Sequence, residues 1–395
     1  MKKILVFSPY YPPHVGGLES HAFDFNEKIS REGYEVTVFT PDLPEKSGEC
    51  EKVNTVKVIR YPAFELIPNY PLPKFWKLKF YYQIVSLKKE NFAVVISRTR
   101  FFVSTIMAMV FAKVRGIHWL HIEHGSDFSK MSSKTLSFLA WSYDCTLGRL
   151  VFFLADSVVC NSQATADFAR TLYKNKKYLT IRRGINEEAI AVIKTFDKSK
   201  MGLNNKIVVS YLGRLMSGKG VSDLLHAIAT LREISIICWI IGGGPEEENL
   251  KSLAKELKIE DKVVFWGNKH FQEAIGLLKA SDIFVNPSYT EGMPTAVIEA
   301  ALCHVPIVAT DVGGTREILS GEKEIVFVQP HSVEEISNGI KKLALDVNFR
   351  KEMSDNAYAI VSGKFTWEKS IALYKGIFEN IGDLRENRER KSILS

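Results

Sequence analysis

Two basic side chains and three glycines lie together in the segment Gly213–Gly220. Arg214 offers a rigid fork of donors and Lys219 a point charge, and the two together suit the oxygens of a diphosphate. The glycines remove the bulk that would keep an anion away from the backbone. The segment departs from G-x-x-x-x-G-K-[ST] at the last position, where Gly220 stands in place of Ser or Thr, which excludes a Walker A loop. We therefore predict a diphosphate site here, over the alternative of a solvated surface loop.

Two glutamates mark a second segment, Glu291–Glu299. Pro294 suits the first position of a helix, and the backbone amides near Met293–Thr295 would then point out of the helix N-terminus towards a phosphate. The carboxylates of Glu291 and Glu299 can accept hydrogen bonds from sugar or ribose hydroxyls. The competing interpretation is that Glu291 caps the helix and Glu299 is exposed.

Paired glycines, Gly16 and Gly17, separate a short apolar run from a helical pattern. Bare backbone amides at the positive end of a helix suit a phosphate or sugar hydroxyls. An ordinary strand–helix turn is the alternative.

Two histidines flank a glutamate in His121-Ile122-Glu123-His124-Gly125, at the end of an apolar strand pattern. Side chains alternate along a strand, so His121 and Glu123 should share one face and His124 the other. The zinc pattern H-E-x-x-H is absent. We expect His121 in the core and favour His124 as the site residue, although the pattern leaves both open.

The chain contains no D-x-D pair of the kind that holds a diphosphate through a divalent ion. Positive charge would instead come from Arg214, Lys219 and helix ends. We therefore expect no metal and no cofactor.

Strand and helix patterns alternate along the whole chain, which predicts an α/β protein with parallel sheets. The first set of strands is predicted at Lys3–Ser8, Glu35–Thr40, Ala93–Ser97, Trp119–Glu123 and Ser157–Asn161. The second set is predicted at Ile207–Gly213, Ser235–Ile241, Lys262–Trp266, Ile283–Pro287 and Pro306–Thr310. A polar stretch between the two sets predicts domains at 1–185 and 207–364, joined by a linker at 186–206.

The composition fits a folded protein without export or membrane-spanning signals. With 46% hydrophobic and 25% charged residues, the 395-residue chain can form packed cores. The net charge of +7 is too diffuse to indicate a nucleic-acid partner. Five cysteines without a C-x-x-C pair indicate reduced thiols. We expect a cytoplasmic protein, soluble or peripheral at the inner face of the membrane.

Aromatic residues and lysines mix in the segment Lys74–Lys89. Such a segment can lie on an anionic membrane surface. The alternative is a packed helix whose lysines face water.

The residues from Asn286 to Ile318, NPSYTEGMPTAVIEAALCHVPIVATDVGGTREI, resemble the signature of glycosyltransferase family 4. Its features are the E-x7-E pair and the loop Ala309–Ile318. The opening MKKILVFSPYYPPHVGGLESH and the segment Tyr211–Gly220 resemble two other motifs of the family. The resemblance runs nearly end to end, and its specificity comes from several weak motifs in the right order.

This resemblance implies the GT-B fold, in which two Rossmann-like domains face each other across a cleft. The C-terminal helix and tail, at 365–395 here, would cross back to the first domain. Arg214 and Lys219 would bind the donor diphosphate, Glu299 the ribose and Glu291 the sugar. The implied site also includes the amides of Gly292, Met293, Pro294 and Thr295, a nucleotide pocket with Gly244 and Trp266, and Gly16, Gly17 and His124 near the transferred sugar.

The implied reaction is transfer, with retention, of a sugar from a UDP- or GDP-linked donor to a saccharide or lipid-linked acceptor, as in cell-envelope polysaccharide or glycolipid synthesis. Front-side attack, with the leaving phosphate as base, would need little from the protein beyond positioning and charge stabilisation. Two alternatives are a non-catalytic protein that binds nucleotide sugars and a related sugar-nucleotide epimerase or phosphorylase. A nicotinamide dehydrogenase is disfavoured because no G-x-G-x-x-G follows the first strand.

Overall fold

The computed structural model describes residues 2–14, 17–43, 50–67, 70–128 and 134–393, with the side chains of 67, 134, 136 and 383–393 excepted. The strands in these residues are β1 (Lys3–Phe7), β2 (Glu35–Pro41), β3 (Cys50–Val53), β4 (Val56–Tyr61), β5 (Ala63–Ile67), β6 (Tyr70–Pro73), β7 (Val94–Arg98), β8 (His118–Glu123), β9 (Ser157–Cys160), β10 (Tyr178–Thr180), β11 (Ile207–Leu212), β12 (Ile236–Ile241), β13 (Val263–Gly267), β14 (Ile283–Asn286), β15 (Ile307–Thr310) and β16 (Val326–Val328).

The α-helices of the same residues are α1 (Gly17–Arg31), α2 (Leu78–Lys88), α3 (Val103–Arg115), α4 (Lys134–Tyr143), α5 (Arg149–Leu154), α6 (Gln163–Leu172), α7 (Glu187–Val192), α8 (Val221–Thr230), α9 (Glu247–Glu256), α10 (Phe271–Lys279), α11 (Thr295–Leu302), α12 (Thr315–Ile318), α13 (Val333–Leu345), α14 (Val347–Val361) and α15 (Trp367–Ile393). A π-helical turn, Asp144–Gly148, joins α4 to α5.

The chain forms two compact units. The first is built from Met1–Ser129, Ser137–Gly184 and Trp367–Ser395, and the second mainly from Ile185–Thr366. Residues 186–206, the stretch expected to be a linker, belong to the second unit and include α7. Helix α15 belongs to the first unit.

The first unit contains an eight-stranded sheet in the order β10-β9-β8-β7-β1-β2-β4-β3. Its pairings are parallel except for β3, which runs antiparallel at the edge. Alternate residues of β1 face opposite layers: Leu5 and Phe7 pack with α2, α3, α5 and α6, whereas Ile4 and Val6 pack with α1 and α15. Because helices cover both faces of the sheet, its strands are nearly continuous apolar runs in the sequence.

The second unit contains a six-stranded, fully parallel sheet in the order β13-β12-β11-β14-β15-β16. Chain order therefore reverses between β11 and β14, which places a topological switch point there. In open α/β sheets, ligands bind in the crevice beyond the carboxyl ends of the strands at such a point.

The structure confirms the α/β class and the central strands to within one or two residues. Sequence reasoning missed β3 to β6, β10 and β16. All of them except β4 are short and lie at sheet edges or in the separate hairpin of β5 and β6, where the apolar period of a buried strand is lost. Strand β4 has six mostly buried residues and lies next to the edge strand β3.

Candidate active site

The basic, glycine-rich loop follows β11 and packs against the loop that follows the neighbouring strand, β14. Gly220 adopts a φ of 63°, and a Cβ atom there would lie 2.0 Å from the carbonyl oxygen of Pro287. The amide of Tyr289 donates to the carbonyl of Gly218 at 2.9 Å. Close backbone approach therefore holds the two loops together.

A direct ion pair joins the two predicted motifs. Lys219 Nζ lies 2.8 Å from Glu291 Oε1, and the hydroxyl of Ser288 donates to the same oxygen at 2.7 Å. Glu291 is largely buried, whereas Lys219 retains about a third of its exposure. Arg214 is half-buried on the same loop as Lys219, and its carbonyl accepts from the hydroxyl of Tyr211 at 3.0 Å. Lys219 and Glu291 thus meet at the switch point of the sheet, on loops that also carry Arg214.

Helix α11 begins one residue later than the sequence suggested. Pro294 is the N-cap, with φ −72° and ψ 99°, and Thr295 is the first helical residue. The side chain of Met293 is buried in the core, so of this residue only the backbone is available to a ligand. Glu299 lies a turn into the helix and is half-buried. Gly292 completes the loop before the helix.

The predicted nucleotide-pocket residues have structural partners in the second unit. A Cβ atom on Gly244 would lie 2.3 Å from the carbonyl oxygen of Leu215, so this glycine lets the loops after β11 and β12 approach. Trp266 is half-buried and packs edge-on against Trp239 at 5.6 Å and Phe196 at 5.4 Å between ring centroids. Packing with these partners accounts for much of the surface that Trp266 has lost.

His121 is a core residue of the first unit. The indole of Trp119 donates to Ser97 Oγ at 2.9 Å, and Ser97 Oγ lies 2.9 Å from His121 Nδ1. His121 Nε2 lies 3.2 Å from Glu123 Oε2, so both ring nitrogens have partners. The expected alternation is confirmed, because His121 packs towards Phe152 on one face of the sheet and His124 towards His21 on the other.

Glu123 anchors the loop that follows β8. It accepts from the amides of His124 at 2.9 Å and Gly125 at 2.8 Å, and lies 3.3 Å from Arg100 Nη1. Burial alone would raise the pKa of Glu123, but Arg100, His121 and the amide of Gly125 hold this pKa well below its usual range. Arg100 also pairs with the buried Asp144.

His124 stands beside residues that sequence reasoning missed. Its ring lies 5.4 Å from that of His21, which stacks on Trp367 at 5.3 Å and lies 3.1 Å from Arg98 Nη1 through Nδ1. The sequence feature that could have pointed to these residues is Arg98, a charged residue at the carboxyl end of the apolar strand β7.

Gly17 is the first residue of α1, and its carbonyl accepts from Arg183 Nη1 at 3.0 Å. Gly16 lies outside the described residues. Across the described ranges, no three His, Cys, Asp or Glu side chains come together as a possible metal site. Metal independence stays a prediction.

The segment Lys74–Lys89 includes α2 and has two distinct sides. Phe80 and Leu87 pack in the core, whereas Trp76 and Tyr82 are 66% and 71% exposed. Helices α3 and α5 cover the same sheet face and also expose apolar side chains, namely Val110, Val114 and Phe153. None of the described helices has the length and apolar content needed to cross a membrane.

Comparison with known proteins covers nearly the whole chain. Residues 15–189 match the model of Glycosyltransferase Family 4, and residues 193–360 match that of Glycosyl transferases group 1. An uncharacterized glycosyltransferase of Methanocaldococcus jannaschii is 37% identical over 96% of this chain and 98% of its own length. A phosphatidylinositol N-acetylglucosaminyltransferase subunit of Homo sapiens is 24% identical over 96% of this chain and 76% of its own length.

Solved structures show the same fold. Sucrose-phosphate synthase from Thermosynechococcus elongatus has a TM-score of 0.81 at 19% identity, covering 97% of this chain and all of its own. Anabaena HepE in complex with UDP-glucose has a TM-score of 0.74 at 19% identity, with the same coverage. The fold is therefore GT-B, and the protein is a glycosyltransferase. The chain belongs to glycosyltransferase family 4, as its motifs indicated.

Proposed function

We propose that the protein is a retaining glycosyltransferase that moves a sugar from a UDP- or GDP-linked donor to a saccharide or lipid-linked acceptor. The observation that carries the proposal is the meeting of Lys219 and Glu291 at the switch point of the second sheet, on loops that also carry Arg214. The crystallised complex of HepE with UDP-glucose supports UDP as the nucleotide.

Positive charge and backbone amides would hold the donor. Arg214 and Lys219 bind the diphosphate, and the charge that develops on it during departure is stabilised by the same groups. Glu291 contacts the sugar, and Glu299 contacts the ribose. The amides of Gly292–Thr295 at the start of α11 add positive dipole ends. Lys219 is held beside Glu291 by the ion pair, so donor binding needs little rearrangement of either side chain.

The acceptor side belongs to the first unit in this proposal. His124 contacts the transferred sugar, and Gly17 leaves room for it. Attack from the face that the diphosphate leaves retains the anomeric configuration, and the departing phosphate takes the acceptor proton. The protein then contributes by positioning the reactants and excluding water.

A membrane contact by the first unit would bring a lipid-linked acceptor within reach. The exposed aromatic residues Trp76 and Tyr82 adjoin lysines along Lys74–Lys89 in sequence, and aromatic rings with basic flanks suit the interface of an anionic bilayer. The human relative is named as part of a phosphatidylinositol N-acetylglucosaminyltransferase, which supports an acceptor of this class.

Thermal unfolding of the full chain with UDP, GDP, ADP and their common sugar conjugates, with and without EDTA, tests the donor. We expect UDP or GDP, and the matching conjugates, to raise the unfolding temperature equally in both buffers, because a ligand that binds the folded state stabilises it. A shift that EDTA abolishes would contradict metal independence. A panel without any shift would contradict the donor assignment.

A further inference from the structure

Arg98, the last residue of β7, is a buried cation without an anionic partner among the described residues. Its guanidinium is wholly buried and lies 4.8 Å over the ring of Phe25. Nε and Nη2 have no hydrogen-bond partner in the part of the chain that the structure describes. The titratable groups that act on it are Tyr374, Tyr11 and Arg183. Burial lowers the pKa of Arg98 to about 10, which leaves it charged at neutral pH. Buried charges are usually paired, so this exception calls for a reason.

The contact between Arg98 and His21 determines where the proton of His21 lies. Arg98 Nη1 is 3.1 Å from His21 Nδ1. A guanidinium can only donate, so Nδ1 must accept with its lone pair, and the imidazole proton must lie on Nε2. Stacking on Trp367, with ring planes 16° apart, fixes the ring orientation. The rings of His21 and His124 then meet edge to face, at an interplanar angle of 78°.

Two arginines and two acids lie among the groups around His21 and His124, and both arginines act on both rings. The charged and titratable groups from the elements packed around them are Arg98 on β7, His121 and Glu123 on β8, Arg183 after β10, Asp24 on α1, Tyr374 on α15 and Tyr11 after β1. Of the two acids, Glu123 is engaged by Arg100 and two backbone amides, and Asp24 faces Arg183.

Burial and the two arginines lower the pKa of both histidines. Burial, Arg98 and Arg183 together lower the pKa of His124 to about 3, against the opposing effect of Glu123. Burial, Arg183 and Arg98 also hold the pKa of His21 well below its usual value. His124 Nε2 is buried and has no partner among the described residues, which leaves one ring nitrogen for a ligand.

We propose that Arg98 is a positioning residue that fixes His21 as the Nε2–H tautomer and keeps His21 and His124 uncharged, so that His124 meets substrate as a neutral imidazole. The part played by His124 towards substrate rests on the proposed function. A neutral His124 exchanges a hydrogen bond with a sugar hydroxyl through Nε2. Because it carries no charge, it does not act as the acid that protonates the leaving group, and the departing diphosphate remains the base.

Nuclear magnetic resonance of the full chain, labelled with ¹⁵N at its nine histidines, tests this arrangement without substrate. Long-range ¹H–¹⁵N spectra report tautomer and charge, and the variants His21→Gln and His124→Gln assign the two signals. We expect His21 as the Nε2–H tautomer and both rings neutral from about pH 8 to about pH 5. In Arg98→Met, His21 should lose its fixed tautomer and its pKa should rise, because the donor and the positive charge beside Nδ1 are gone.

Two further variants separate charge from folding. Arg98→Lys keeps the charge and should keep both rings neutral, whereas Arg170→Met removes an exposed arginine and should change neither ring. The proposal is overturned by an Nδ1–H tautomer of His21 in the unmodified chain, by protonation of either ring near pH 6.5, or by unchanged His21 signals in a folded Arg98→Met. If Arg98→Met does not fold, the tautomer and charge in the unmodified chain decide. Because no readout uses sugar transfer, an inactive protein with the expected spectra would contradict the proposed function alone.

Discussion

Single contacts at the carboxyl edge of the second sheet support the proposed donor site over a solvated surface loop. Lys219 could have faced solvent, and Glu291 could have capped α11. Instead, their side chains pair at 2.8 Å across two loops, and Ser288 donates to the same carboxylate. A charged pair held by neighbouring groups is preorganised for a ligand that carries both charge and hydroxyls.

The two members of this pair should affect different quantities: one mainly nucleotide binding, the other mainly turnover. We expect Lys219→Ala to abolish most of the thermal shift caused by the nucleotide, because the diphosphate loses a cation. Glu291→Ala should keep much of that shift and lower kcat by about 10²-fold, because its contact is with the sugar. Steady-state kinetics and thermal unfolding measure the two effects.

Lys198→Ala is the matched control for these variants. Lys198 forms a 2.8 Å ion pair with Asp282, which precedes β14 at the opposite edge of the same sheet. The Lys198→Ala variant should leave nucleotide binding and kcat unchanged. Full activity in both Lys219→Ala and Glu291→Ala would refute the site.

Gly220 offers a second test at the scale of one residue. Gly220→Ala places a methyl group 2.0 Å from a carbonyl oxygen at a φ of 63°. Gly202→Ala has a similar φ, 67°, but an open space around the added atom. We expect Gly202→Ala to lower the free energy of unfolding by about 1 kcal/mol, and Gly220→Ala to lower it by about 2–3 kcal/mol or more. Urea denaturation compares them, and equal losses would show that loop contact is unimportant.

At the scale of elements, strand order explains why the motifs meet. Lys219 and Glu291 are 72 positions apart, yet their loops are neighbours because β11 pairs with β14 rather than only with β12. In the first unit, α2, α3 and α5 form one layer whose inner sides build the core and whose outer sides retain aromatic and aliphatic exposure. Such a one-sided layer is suited to a bilayer surface.

Co-sedimentation with vesicles tests this layer. We expect the full chain to bind phosphatidylglycerol vesicles at low salt and to bind phosphatidylcholine vesicles weakly, because lysines are attracted to anionic headgroups. The double variant Trp76→Ser, Tyr82→Ser should bind several-fold less well at an unchanged unfolding temperature, since both side chains are mostly exposed. Phe271→Ser, at an exposed site on α10 in the second unit, is the control. Equal binding by all three chains would exclude α2 as the contact.

At the scale of the whole molecule, buried neutral histidines make the free energy of unfolding depend on pH. The folded-state pKa values of His21 and His124 lie below the unfolded value of 6.5, the latter at about 3. As the pH falls below about 6.5, the unfolded chain therefore takes up protons that the folded chain does not. The stability that both neutral rings provide is complete above that pH and decreases below it.

Urea denaturation at intervals from about pH 7.5 to about pH 5 measures this linkage. We expect a nearly flat free energy of unfolding at the upper end and a decrease at the lower end, approaching about 1.4 kcal/mol per pH unit for each histidine. His124→Gln should remove about half of the slope, whereas His270→Gln, at an exposed position, should leave it unchanged. A constant free energy across the range would contradict burial of neutral rings.

The sequence by itself determined the α/β class, the central strands and the types of residue at their carboxyl ends. These features are local: apolar runs, glycine loops and the E-x7-E spacing can each be read from a short segment. The assignment of His121 to the core was also within reach, because alternation along β8 separates it from His124.

Only the tertiary structure decided which strands pair, and hence which loops share an edge. It showed that 186–206 belongs to the second unit, that Trp266 packs in an aromatic cluster, and that Pro294 caps α11. It also brought His21 and Trp367 into contact with the surroundings of His124. Such contacts join residues hundreds of positions apart through core packing, and no local pattern in the chain encodes that long-range choice.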